Sequence, residues 1–177
     1  EVINSQAKKQ TTVLDSYHRL THLTEPEYKT VSVQALFTKL ERLLQAEPRS
    51  ERVVYCDGKV DRSTGKELQV YGDANLLTLA LINLIRNALQ AVEGQENGIV
   101  RVDTCAGATG HLLIIITDNG PGIPPERLSA IFTPFFSTKS GGSGIGLPIS
   151  QRIMQLHGGQ LSVSSIPNVR TEFRMEF

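Results

Sequence analysis

The sequence predicts an α+β domain built as a two-layer α/β sandwich, with helices covering one face of a sheet. Three observations carry the prediction. A strongly apolar helical pattern spans residues 73–92, β-type segments occur on both sides of it, and glycine-marked turns punctuate those segments, as antiparallel hairpins require. With 177 residues the chain suits one domain of ordinary size and a short extra element at one end.

Residues 1–29 read as the end of a helix and a linker. Val2, Ile3, Val13, Leu14, Tyr17, Leu20 and Leu23 keep partial helical spacing in a polar stretch. Thr24-Glu25-Pro26-Glu27 then breaks the pattern, because proline lacks an N–H and biases its predecessor away from helix. The domain proper is residues 30–177. Ser32 is the expected N-cap of a helix carrying Val33, Leu36, Phe37, Leu40, Leu43 and Leu44, ending before Pro48. β-rich stretches follow at 52–56 and 67–71, separated by the turn-prone pairs Asp57-Gly58 and Thr64-Gly65.

Asp73 caps the central helix, which runs to about Val92 and stops near Gly94. Strands at 99–105 and 111–117 are joined through Gly107 and Gly110, and the run Leu112-Leu113-Ile114-Ile115-Ile116 reads as fully buried. Asp118 follows immediately. Pro124-Pro125-Glu126-Arg127 starts a short helix, residues 137–143 form a polar loop, Gly146 to His157 is a further helix, and strands at 160–164 and 171–177 finish the domain.

Composition excludes several classes of function. The 18 basic and 18 acidic residues cancel, so no global positive field recruits nucleic acid or an anionic membrane, and any phosphate binding is local. No apolar run is long enough to span a membrane and the polar N-terminus does not resemble a signal peptide, so the expected location is cytoplasmic. Cys56 and Cys105 lack C-x-x-C spacing and are expected to be reduced, buried thiols.

Four short blocks in order carry chemistry. Asn83 and Asn87 project from one face of an oily helix; burying two amides needs either backbone partners or a hard cation that takes an amide oxygen. Asp118-x-Gly120-x-Gly122 places a carboxylate beside glycines that let the backbone approach a flat ligand. An ionised Asp only accepts hydrogen bonds, which suits adenine's amine, although an Asx-turn at a strand end accounts for it too. Phe132, Phe135 and Phe136 surround Pro134 ahead of Ser137-Thr138-Lys139-Ser140, an aromatic anchor for a hinged lid or ordinary core packing. Gly142-Ser143-Gly144-Ile145-Gly146 precedes a helix whose free N–H groups and dipole favour phosphate, with Pro148 tolerated in the first turn; one or two such glycines would fit a plain loop-to-helix junction. Lys139 is either a phosphate contact or a solvated lysine.

These blocks resemble, in order, the asparagine, first glycine, phenylalanine and second glycine boxes of the ATP-binding catalytic domain of sensor histidine kinases, relatives of the gyrase, mismatch-repair and heat-shock-chaperone ATPases. Asn-Leu-Ile-Arg-Asn-Ala-Leu-Gln-Ala at 83–91 and Thr-Pro-Phe-Phe-Ser-Thr-Lys at 133–139 are most similar to the nitrogen-regulatory type. The resemblance implies a Bergerat-type fold with a mixed sheet, ATP and Mg²⁺ as cofactors, and Asn87 as metal ligand. It implies Asp118 as adenine anchor supported by Thr171, Gly122 as a backbone neighbour of the base, and Gly120, Ile123 and Phe132 as further cofactor-binding residues. Gly142, Gly144 and Gly146 would line the phosphates, Lys139 would meet the terminal one, and Thr138, Ser143, Ile145 and Leu147 complete the cofactor-binding set. Asn83, Asn87 and Lys139 are the implied catalytic residues. Two positions depart from the family pattern: Gln90 stands where many relatives carry a basic residue, and Arg170 replaces the glycine usual before Thr171.

By the same resemblance residues 1–23 end a dimerisation helix, and the partners are the protein's own dimerisation and histidine-phosphotransfer domain and a response regulator receiver domain. The family's acceptor histidine precedes an acidic residue. His18 precedes Arg19 and His22 precedes Leu23, so the acceptor is expected to lie elsewhere. Hydrolysing relatives carry a glutamate at the place of Asn83, and an amide cannot abstract a proton from water near pH 7. Phosphoryl transfer to histidine is therefore expected, with a gyrase-type ATPase or a non-catalytic nucleotide sensor as the competing readings.

Overall fold

The computed structural model describes residues 25–56, 65–106, 111–138 and 142–177. The expectations for the tail helix, His18 and His22, the turns at 57–64 and 107–110, and Lys139 lie outside these residues.

A short strand absent from the sequence reading opens the domain: β1 (Lys29–Ser32), at the expected boundary between linker and domain, pairs antiparallel with β3 (Gln69–Gly72) in a separate two-stranded sheet. Between them lie α1 (Val33–Leu44) and β2 (Val53–Tyr55). Ser32 Oγ accepts the Ala35 N–H at 3.1 Å, so the predicted cap is present. The two β-rich stretches therefore belong to different sheets.

Central helix α2 (Ala74–Ala91) begins where Asp73 accepts the N–H groups of Asn75 and Leu76, and it is followed by Gly94 with a φ of 81°. β4 (Val100–Ala106) and β5 (Leu112–Asp118) form an antiparallel pair. Single 3₁₀ turns at Pro125–Arg127 and Ala130–Phe132 stand in place of the predicted short helix. α3 (Gly146–Leu156), β6 (Gln160–Ile166) and β7 (Arg170–Glu176) complete the chain. The main sheet has the order β2-β4-β5-β7-β6 and is mixed, because β2 runs parallel to β4 while every other pair is antiparallel.

The core lies between helices and sheet. Leu77, Leu81, Leu84 and Ile85 of α2 and Ile153 and Met154 of α3 are fully buried, as are Ile114, Ile116 and Met175 of the strands. Among the described residues no layer covers the second face of the sheet, which corrects two expectations. Leu113 and Ile115 alternate out of the core rather than being buried throughout β5. Cys105 lies on β4 in an exposed position and Cys56 is half-buried, so the cysteines are free but not core thiols. No described helix is long and apolar enough to cross a membrane.

Candidate nucleotide site

A cavity of about 480 Å³ opens between α2, the end of β5, the loop after it and the glycine turn that starts α3. Its size suits a small-molecule cofactor. Its two ends are built differently.

At one end Asp118, the last residue of β5 rather than the residue after it, is only 3% exposed. Its Oδ1 accepts the Gly120 N–H at 2.9 Å, so the Asx-turn reading and the anchor reading are compatible: one carboxylate oxygen fixes the turn, and an ionised carboxylate has acceptor capacity beyond that single bond. Gly120 does not line the cavity. A Cβ there would stand 2.7 Å from Asp118 Oδ1 and 3.0 Å from Ala91 Cβ, so its place is behind the carboxylate. Gly122 lines the cavity with a φ of 78°, and a Cβ there would stand 2.8 Å from the Pro167 backbone. Thr171 faces Asp118 across β5 and β7. Its hydroxyl is 3.1 Å from Ser165 Oγ, which accepts the Ile123 N–H at 2.8 Å, so loop and sheet share one hydrogen-bonded chain.

At the other end the glycine turn packs on the phenylalanine segment. Phe135 donates its N–H to the Gly144 carbonyl at 3.0 Å, itself adopts a φ of 66°, and is 46% exposed. Among the described residues no side chain caps α3, and its first two residues, Gly146 and Leu147, line the cavity. Asn83 reaches Gly146 with a long Nδ2–O contact of 3.4 Å, so this amide is spoken for by backbone and ties α2 to the start of α3. Asn87 and Gln90 line the same wall at helical spacing.

Of the predicted site residues, Asn83, Asn87, Asp118, Gly122, Ile123, Thr138, Gly142, Ser143, Gly144, Gly146, Leu147 and Thr171 line the cavity. Gly120, Phe132 and Ile145 do not. Phe132 packs against the core and Ile145 is buried in it, because the turn that presents Gly144 and Gly146 sends the intervening apolar side chain inward. Sequence reasoning passed over Arg86, Arg127, Ile131 and Phe173, which also line it. Arg86 was within reach, standing three residues after Asn83 and thus on its face of the helix. The others come from 3₁₀ turns and a strand, whose approach to the cavity only the fold decides.

Among the described residues no group of three or more His, Cys, Asp or Glu side chains gathers for a metal. The Asn87 amide in the cavity wall is a donor of the type that fits Mg²⁺, an ion that accepts an oxygen ligand from the protein and completes its shell with phosphates and water.

A mixed sheet with helices on one face, a buried carboxylate at the end of one strand and a glycine turn at a helix start define a domain of the nucleotide-binding class. The chain belongs to the family of histidine kinase-, DNA gyrase B- and HSP90-like ATPases, whose pattern matches residues 72–177. That membership implies that the domain binds ATP. The sensor histidine kinase ZraS of Salmonella typhimurium is 35% identical over 147 residues, 82% of this chain and 29% of that protein. The sensory histidine kinase/phosphatase NtrB of Vibrio alginolyticus is 33% identical over 180 residues, 96% of this chain and 49% of that protein. The chain thus spans less than half the length of these relatives. Among solved structures the catalytic domain of histidine kinase ThkA superposes with a TM-score of 0.70 at 28% identity, covering 85% of this chain and 95% of that one. ThkA in complex with the response regulator TrrA shares the fold, with a TM-score of 0.74 at 24% identity, over 99% of this chain and 49% of that one.

Proposed function

We propose that this chain is the ATP-binding catalytic domain of a two-component sensor histidine kinase acting in the cytoplasm. It holds Mg-ATP so that the γ-phosphate passes to a histidine of the protein's dimerisation and phosphotransfer domain, for relay to an aspartate of a response regulator receiver domain. One observation carries the reading. Among the described residues the single carboxylate lining the cavity is Asp118, and it lies at the end opposite the glycine turn. The position beside that turn is held by the Asn83 amide, already in contact with Gly146.

A gyrase-type hydrolase needs a base near the terminal phosphate, and the described residues of this wall offer none. A neutral imidazole needs no base, since it is a nucleophile at pH 7. The chain's task is then placement: Asp118 fixes the base, the α3 N-terminus and the loop 142–146 hold the phosphates, and the phenylalanine segment closes over them. Asn87 is the residue placed to hold Mg²⁺, which neutralises phosphate charge when bound.

Calorimetric titration with ATP, with and without Mg²⁺, while phosphate release is followed, tests the proposal. Mg²⁺-dependent binding with little release is expected, and Asn87→Ala should remove the metal dependence. Rapid release would instead establish an ATPase, and absence of binding would leave a scaffold without nucleotide function.

A further inference from the structure

Three charged side chains line the cavity among the described residues: Asp118, Arg127 and Arg86. Arg86 stands out by its partner and its place along α2.

The helix runs lengthwise along the site. Gly120, bonded to Asp118, lies against Ala91 near the helix C-terminus, and Gly146 lies against Asn83. Eight residues of α-helix separate Ala91 from Asn83, a span of roughly 12 Å at about 1.5 Å per residue. That matches an extended nucleoside triphosphate from its adenine amine to its outer phosphates. On this scale the Arg86 backbone lies about 7.5 Å from the adenine end and about 4.5 Å from Asn83, and a long helical side chain leans toward the N-terminus, which carries its guanidinium toward the outer phosphates. It follows Asn83 by three positions, on the same face.

The guanidinium is at present turned to Glu47 in the turn after α1. Nε donates to Glu47 Oε1 at 3.0 Å, and Nη2 donates to the same oxygen. The Arg86 side chain is 53% exposed and that of Glu47 24%. A solvated pair of this kind contributes little to stability and gives way readily to a more highly charged anion. The need is local: Gln90 supplies no charge one turn further on, and the chain as a whole is neutral.

We propose that Arg86 is a further nucleotide-contacting residue whose guanidinium exchanges the Glu47 carboxylate for the outer phosphates of bound ATP, with Glu47 as a built-in competitor. The proposal rests on the ATP reading above. It separates from a purely structural tie between α1 and α2 by sign. A tie predicts that removing either partner lowers stability and leaves affinity alone. Exchange predicts opposite effects of the two partners on affinity.

The test is calorimetry with Mg-ATP, Mg-ADP and adenosine on the chain and on R86Q, R86K, E47Q and the R86Q/E47Q double variant, each checked for a cooperative melt. R86Q should weaken ATP about tenfold, ADP clearly less and adenosine not at all, with R86K partly restoring ATP affinity. E47Q should tighten ATP about threefold and lose that effect in the R86Q background. A folded E47Q with unchanged or weaker ATP affinity, or a folded R86Q with unchanged affinity, overturns the exchange while leaving the ATP site standing. Failure of the unmodified chain to bind ATP overturns both.

Discussion

The two ends of the cavity follow opposite building rules. The end we propose for adenine is sheet: Asp118, Thr171 and Ser165 sit on adjacent antiparallel strands, and Gly122 is pressed against the Pro167 backbone. The end we propose for the phosphates is loop: a glycine turn, an exposed Phe135 in a left-handed conformation and a helix start without a side-chain cap among the described residues. Sheet positions are held by ladders that open only with global unfolding, whereas loops open locally at little cost. On the proposed reading, affinity is anchored at one end, while movement, and with it turnover, belongs to the other.

The largest effect should come from the anchor. Asp118 has two carboxylate oxygens, and Oδ1 accepts the Gly120 N–H. An asparagine side chain in its place would offer a single oxygen and an NH₂ group, so either the turn or the adenine amine would face a donor. Asp118→Asn should weaken ATP binding by about tenfold to a hundredfold, from loss of a charge-assisted bond and the mismatched donor put in its place. The melting temperature should stay within a few degrees. Retained affinity in calorimetry would place adenine elsewhere and dissolve the distinction between the ends.

At the mobile end Gly144 is the position where backbone alone sets the requirement. Its φ is 66°, and a Cβ would stand 2.6 Å from the Phe135 carbonyl carbon and 2.7 Å from the Phe136 oxygen. Gly144→Ala should cost about 1–3 kcal/mol, from the left-handed conformation and the displaced segment. It should also weaken ATP more than adenosine. Equal losses for both ligands would show that the turn supports the whole cavity rather than its phosphate end.

A third position tests the helix that joins the ends. Burial pushes the Asp73 carboxyl up, but the backbone N–H groups of Glu27, Leu76 and Asn75 together outweigh it, and its pKa is held below the usual value. A depressed carboxylate contributes stability that is present above its unfolded pKa and lost as pH falls through its folded one. Asp73→Ala should therefore destabilise the domain by about 1–2 kcal/mol at pH 7, as N-cap removal does, and the difference should shrink below about pH 4. Denaturant melts at pH 7 and pH 3 read it directly; a difference constant with pH would remove the charged cap from the account.

The caps and the central helix were legible because their signals are local. Ser32 and Asp73 announce helix starts by residue type, and residues 74–91 keep an apolar face whatever lies around them. Asp118, the asparagines and all but one of the predicted glycines were legible as neighbours of one cavity, since few other uses bring these residue types together in one order. What failed depends on partners distant in sequence. β1 has four residues and no alternation of its own, and it exists as a strand only because β3 lies beside it. β5 reads as buried on both faces because Leu113 and Ile115 are apolar, yet among the described residues no second layer covers their side of the sheet. Arg127 and Phe173 reach the cavity through a turn and a strand register that local pattern does not encode.

The smallest effect should come from the third glycine of the turn, and it sharpens the comparison most finely. Gly146 looks equivalent to Gly144 in the sequence. In the structure it is the first residue of α3 and does not have a positive φ. The nearest atoms to a Cβ there would be those of the Asn83 side chain, at 3.7 to 3.9 Å, an ordinary contact distance. Alanine also forms helix more readily than glycine, by up to about 1 kcal/mol in a helix interior and less at the first turn. Gly146→Ala should leave the melting temperature unchanged or slightly raised, where Gly144→Ala lowers it. Any loss it causes should then appear in the affinity for ATP and not in stability, because the methyl group would occupy space beside the phosphates and not space the fold itself uses. A clear drop in stability would mean that the Asn83 contact with the start of α3 tolerates no displacement, and that the boundary between the fixed and the mobile end lies elsewhere in the turn than the geometry puts it.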